Sequence, residues 1–114
     1  MLDILCEFRR GILFIRLEGE ITKYTYLNFK HEIIMMIKEH GIRSAVLNLE
    51  KIRNIDLKGI NTLFYTYESL RDNNGILMLT NINKYIEERI LKSHITRYVS
   101  VIDSEIDAFE KIII

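Results

Sequence analysis

Asp56, Leu57, Lys58 and Gly59 stand where an apolar run, VLNLE over 46–50, has given way to helical spacing. A helix N-terminus carries partial positive charge and unpaired N–H groups, so it favours acids, capping oxygens and anions. Asp56 suits that place as an N-cap, and Gly59 lets another backbone come close. Leu57 offers only an apolar surface. Lys58 opposes the helix dipole at a cost of about 0.3 kcal/mol. A corner without a nucleophile or a base can still do recognition chemistry, with a fixed cation and an apolar side chain beside a capped helix.

The other reactive residue types do not assemble into a site. His31, His40 and His94 stand at no metal-ligand spacing with Cys6 or with one another, so no metal is expected. His40 falls in the last turn of a helix, where a cation is favourable. Cys6 lies inside a strand and reads as a small buried hydrophobe. Glu18 and Glu20 alternate along a strand end and read as solvated. Neither phosphate-cradling glycine motif is present, and no Ser, His and Asp arrangement announces itself, so no cofactor and no enzyme activity are expected. Tyr65 and Tyr67 read as core edge, with a docking interface as the alternative.

Elements must place that corner, and composition says what kind. The chain has 114 residues, 48% hydrophobic, which suits one domain over 1–114 with a core of its own. Sixteen basic residues balance sixteen acidic ones, which gives no electrostatic case for nucleic acid or an anionic membrane. A lone cysteine fits a reducing compartment. No run is long and apolar enough to span a bilayer, and the opening MLDILCEFRR lacks the order of a signal peptide, so a cytoplasmic protein is expected.

Segments 2–8 and 12–18 are short and apolar-rich, with Gly11 between them, and predict an antiparallel hairpin. Residues 24–40 place Tyr26, Phe29, Ile33, Met36 and Ile37 on one helical face, with Thr22 as N-cap and Gly41 as stop. A strand follows over 43–49, then a polar corner over 50–56, then a helix over 57–72 with Ile60, Leu63, Phe64, Tyr67 and Leu70 inward. A strand over 76–80, a helix from an Asn83 cap to Lys92, a strand over 98–102 and a C-terminal helix opened by Ser104 and Asp107 complete the order ββαβαβαβα. That alternation predicts an α/β domain with a mainly parallel sheet after the hairpin. Right-handed crossovers put most helices on one face and leave the other thinly covered. The terminal K-I-I-I is expected under the sheet or in a partner.

The chain resembles the STAS domain family, named for sulfate transporters and anti-sigma factor antagonists, and above all its small bacterial antagonists. The stretch ILFIRLEGEI over 12–21 resembles the family's second strand, and VLNLE, with its spacing to Asp56 and Gly59, resembles the central strand. The stretch from Gly75 to Phe109 is similar to the closing half. The resemblance implies that the residue after Asp56 is normally a Ser or Thr, phosphorylated by a partner that is both anti-sigma factor and kinase. It also implies an acid near that residue, at the position of Thr22. This sequence departs at both places: Leu57 has no hydroxyl and Thr22 has no charge.

The function expected is a non-catalytic regulatory module. It would bind an anti-sigma, serine-kinase-type protein through Thr22, Asn54, Ile55, Asp56, Leu57, Lys58, Gly59 and Asn61, without phosphorylation at the usual site. Lys58 beside Leu57 would suit an acidic, partly hydrophobic patch. The alternative is a STAS subunit of a transporter-associated or stress-signalling complex. A small-molecule site by the corner is the third reading, and pairing with a second copy stays open.

Overall fold

In the computed structural model, which describes residues 1–112, the N-terminal hairpin is β1 (Leu2–Arg9) and β2 (Ile12–Ile21). A helical segment over 26–40 follows, built from α1 (Tyr26–Phe29), a π-helical turn (Lys30–Ile34) and α2 (Met35–His40). Then come β3 (Ser44–Ile55), α3 (Leu57–Asp72), β4 (Ile76–Thr80), α4 (Glu87–Lys92), β5 (Ser100–Ile102) and α5 (Ala108–Lys111). Among the described residues one sheet forms, in the order β1-β2-β3-β4-β5. β1 and β2 are antiparallel and every later pair is parallel. The expected architecture, a ββ start followed by βα units, is the one observed.

Strand alternation sorts the side chains between two cores. Leu13, Ile15 and Leu17 of β2, with Ala45, Leu47 and Leu49 of β3, join Phe29, Ile33, Ile37, Leu63 and Ile90 in the larger one. The intervening Ile12, Phe14, Val46 and Met78 meet Ile102, Ala108 and Phe109 in the smaller one. The helices from α1 to α4 therefore cover one face, and α5 covers part of the other. Phe14 and Phe109 are tilted ring neighbours there, with centroids 5.6 Å apart. From the K-I-I-I run, Ile112 packs against this second core. Ile113 and Ile114 lie outside the described residues.

Several boundaries differ from the sequence expectation: β2 runs on to Ile21 instead of ending at 18, and β5 begins at Ser100 instead of 98. The polar corner over 50–56 is strand as far as Ile55. Its alternation fails because the β2–β3 register slips twice, between Arg16 and Glu18 and between Gly19 and Glu20. Leu49, Ile52 and Ile55 are buried at intervals of three while the residues between them are exposed. A bulged strand does not show the period of two that betrays a regular one. Thr22 is not the helix cap. It is buried, and the cap position is Thr25, whose hydroxyl accepts from Thr22 N at 2.9 Å and donates to Glu20 O at 2.7 Å. Asn83 does not open α4 directly: its Oδ1 accepts from Tyr85 N at 2.8 Å, and α4 starts at Glu87.

Candidate functional site

The corner is built from the inside out. Ile55 ends β3 fully buried, opposite Ile21 at the end of β2. Asp56 follows in extended backbone and caps α3. Its Oδ1 accepts from Gly59 N at 2.9 Å, and its Oδ2 accepts from Lys23 N at 2.9 Å. One carboxylate therefore stitches the start of α3 to the loop after β2. Gly59 is buried, and any side chain there would collide with the Ile21 carbonyl. That close approach is what the glycine permits.

The outward residues form the surface. Leu57, at the first position of α3, is 73% exposed. Asn54, Lys58 and Asn61 are exposed beside it. Of the eight residues singled out in the sequence, these four share one accessible patch with the half-buried Asp56, while Thr22, Ile55 and Gly59 lie beneath it as supports. The hydroxyls nearest the corner are closed in. Thr62 is buried and donates to Lys58 O at 2.8 Å, and buried Thr22 accepts from Tyr24 N at 3.2 Å.

Lys58 has an aromatic partner on a neighbouring element. Its Nζ sits 5.1 Å from the ring centroid of Tyr26, on α1. Lys30 makes the reverse contact, 5.4 Å from the ring of Tyr65 on α3, and Lys23 lies 5.2 Å from Tyr24. An ammonium over an aromatic face gains about 0.5–1 kcal/mol at an exposed site, which offsets the dipole cost. Lys23, Tyr24, Tyr26 and Lys30 carry no sequence signal that joins them to this surface, while Tyr65, exposed here, follows the interface alternative over the core-edge one. Tyr26 and Lys30 stand four apart, and Lys58 and Tyr65 seven apart, so each helix shows one Lys and one Tyr on a face. That the two faces meet is decided by packing.

The remaining candidates stay apart from the corner. His31, His40 and His94 are exposed and scattered. Cys6 is half-buried, and burial first, then the nearby Glu32 charge, pushes its thiol pKa up, which suppresses the thiolate. Glu18 pairs across the strands with Asp3 and Lys51, and Glu20 pairs with Asn54. Among the described residues no group of three His, Cys, Asp or Glu is placed to hold a metal, and no helix is long and apolar enough to cross a membrane.

The profile of the STAS domain matches residues 3–108. The anti-sigma F factor antagonist of Paenibacillus polymyxa is 22% identical over 111 residues, covering 97% of this chain and 95% of that protein. An anti-sigma factor antagonist from Mycobacterium paratuberculosis superposes with a TM-score of 0.85 at 18% identity, over 98% of this chain and 94% of that one. The phosphorylated form of SpoIIAA, a Bacillus cell fate determinant, superposes with a TM-score of 0.75 at 18% identity, over 97% and 100% of the two chains. At these identities the superpositions report a shared fold.

Proposed function

This chain belongs to the STAS domain family, and from that premise we propose that it is an anti-sigma factor antagonist-like regulatory module that binds its partner without being phosphorylated at the usual site. It works in the cytoplasm as a binding protein and not as an enzyme. Its partner is an anti-sigma factor of the serine-kinase type. The contact surface is Asn54, Leu57, Lys58 and Asn61, held in place by Thr22, Ile55, Asp56 and Gly59.

The observation that carries this reading is Leu57. It stands exposed at the first helical position after the capping Asp56, and it has nothing to phosphorylate. A phosphoryl group there would add up to about two negative charges and drive a docked partner off. Leucine keeps the docking surface and removes the switch. The burial of the Thr22 and Thr62 hydroxyls supports the absence of a substitute acceptor beside it.

The anti-sigma kinases encoded in the same genome, purified and titrated against this chain with ATP, test the reading. One of them should bind, with no phosphate transferred to the chain. Leu57→Asp should weaken that complex about tenfold or more, because it places a carboxylate where the phosphate would stand. An acid at the start of α3 favours the helix, so lost binding would not report lost folding. Phosphate transfer would overturn the proposal. So would binding only to a transporter or stress-complex subunit, which would favour the alternative role.

A further inference from the structure

Lys58 and Lys30 are held in a reciprocal arrangement across one cleft. Lys58 of α3 reaches over Tyr26 of α1, and Lys30 of the π-helical turn reaches over Tyr65 of α3. The two rings wall a cleft of about 210 Å³, the two ammoniums rim it, and Ile34, Thr62 and Asn61 line the rest. Among the described residues neither lysine, nor Lys23 nearby, lies within ion-pair distance of a carboxylate. The chain as a whole is neutral, so the positive charge gathered here is local.

We infer that this cleft receives a carboxylate side chain from an acidic, partly apolar segment of the protein that docks at the corner. The inference rests on the corner being a docking surface and names the chemistry of what docks. Three features fit such an occupant. Two ammoniums that line one cleft can meet one carboxylate, and a docked segment that covers the cleft would desolvate the pair and strengthen it. Tyr26 and Tyr65 already orient the lysines, so less side-chain freedom is lost on binding. Leu57, Tyr24 and Leu27, next in sequence to Lys58, Lys23 and Tyr26, are exposed by 73%, 84% and 51% and offer apolar contact to the rest of such a segment.

A phosphate fits less well. Phosphate sites use arginine forks or clustered backbone N–H donors. Here the charged side chains are lysines. Two of the first-turn donors of α3 are already taken, Gly59 N by Asp56 Oδ1 and Ile60 N by Asp56 O, so no full cluster of N–H groups is left for an anion.

A titration of the isotope-labelled chain, followed by amide NMR, tests this. The probes are an acetylated, amidated peptide of alternating Leu and Glu, the same peptide with Gln for Glu, and inorganic phosphate. The Glu peptide should move the amides of Lys30, Asn61, Thr62 and Tyr65. The Gln peptide should bind about tenfold more weakly or worse, and Lys30→Glu with Lys58→Glu should abolish the difference. Equal binding of the two peptides, shifts centred elsewhere, or a charge-reversed double variant that still prefers Glu would overturn the inference. Phosphate moving the same amides as strongly as the Glu peptide would also overturn it. The two readings fail separately. An anti-sigma kinase released by Leu57→Asp but indifferent to the charge reversal sinks the cleft and leaves the docking corner. A Glu-selective cleft in a chain that binds no anti-sigma kinase does the reverse.

Discussion

Asp56 does two jobs with one side chain. It caps α3 through Gly59 N and ties down the loop after β2 through Lys23 N. Losing an N-cap costs about 1 kcal/mol, and a second hydrogen bond to a charged acceptor adds a comparable amount. Asp56→Ala should therefore lower stability by about 2 kcal/mol in denaturant unfolding. Asp56→Asn, which keeps one good acceptor, should lose less than half of that. An equal loss in both variants would mean that the charge, not the capping geometry, holds the corner. Lys58 shows the same economy of contact: the ring of Tyr26 takes an ammonium that the helix terminus disfavours.

The end of β3 decides where the corner sits. β3 pairs with β4 only as far as Asn48 and Thr80, so residues 49–55 run on beside β2 alone. Beyond Asn48 the β4 side of β3 has no strand to pair with. Asn83 covers that stretch, the two hydrogens of its Nδ2 shared among Leu49 O at 3.0 Å, Glu50 O at 2.9 Å and Ile52 O at 2.7 Å. Asn83→Ala should cost about 1–2 kcal/mol and speed amide hydrogen exchange over 50–55 more than in α3. Uniform exchange across both elements would show that Asn83 acts on the whole fold instead. The π-helical turn plays a similar local role on the other side of the cleft. Its wider winding buries Ile33 and Ile34 together while Lys30 faces Tyr65.

At the scale of the molecule, the small second core is latched to the sheet by charge. Arg16 of β2 donates from Nε and Nη2 to Glu105 at 2.9 and 2.8 Å, and from Nη2 to Glu7 at 3.0 Å. Asn48 also donates to Glu105, at 2.9 Å. The Arg16 hydrogen bond holds the Glu105 carboxyl below its usual pKa of 4.5 against the opposing pull of burial, with Asn48 adding to the effect. A carboxyl acidified by folding stabilises the fold above its unfolded pKa. That contribution is lost as pH falls from about 4.5 through the lowered folded value. Both side chains are partly open to solvent, so the latch contributes about 1 kcal/mol at neutral pH. Glu105→Gln should show that deficit at neutral pH in thermal unfolding and converge on the wild-type curve below pH 4.5. Parallel curves through that range would remove Glu105 from the acid response.

The residues alone determined the order of elements, the class of sheet, the capping role of Asp56, the tight approach at Gly59 and the missing hydroxyl at position 57. Each of these is local. Helical and strand periods, cap preferences and the presence of an oxygen atom are written within a few residues of where they act. Tertiary structure alone decided that β3 reaches Ile55, that α5 covers the second face and that Lys58 stands over Tyr26. Those outcomes depend on register slips that erase the strand period, and on pairs such as Lys58 with Tyr26 or Arg16 with Glu105 that are brought together by the sheet and its crossovers. A contact between distant segments leaves no period in either of them.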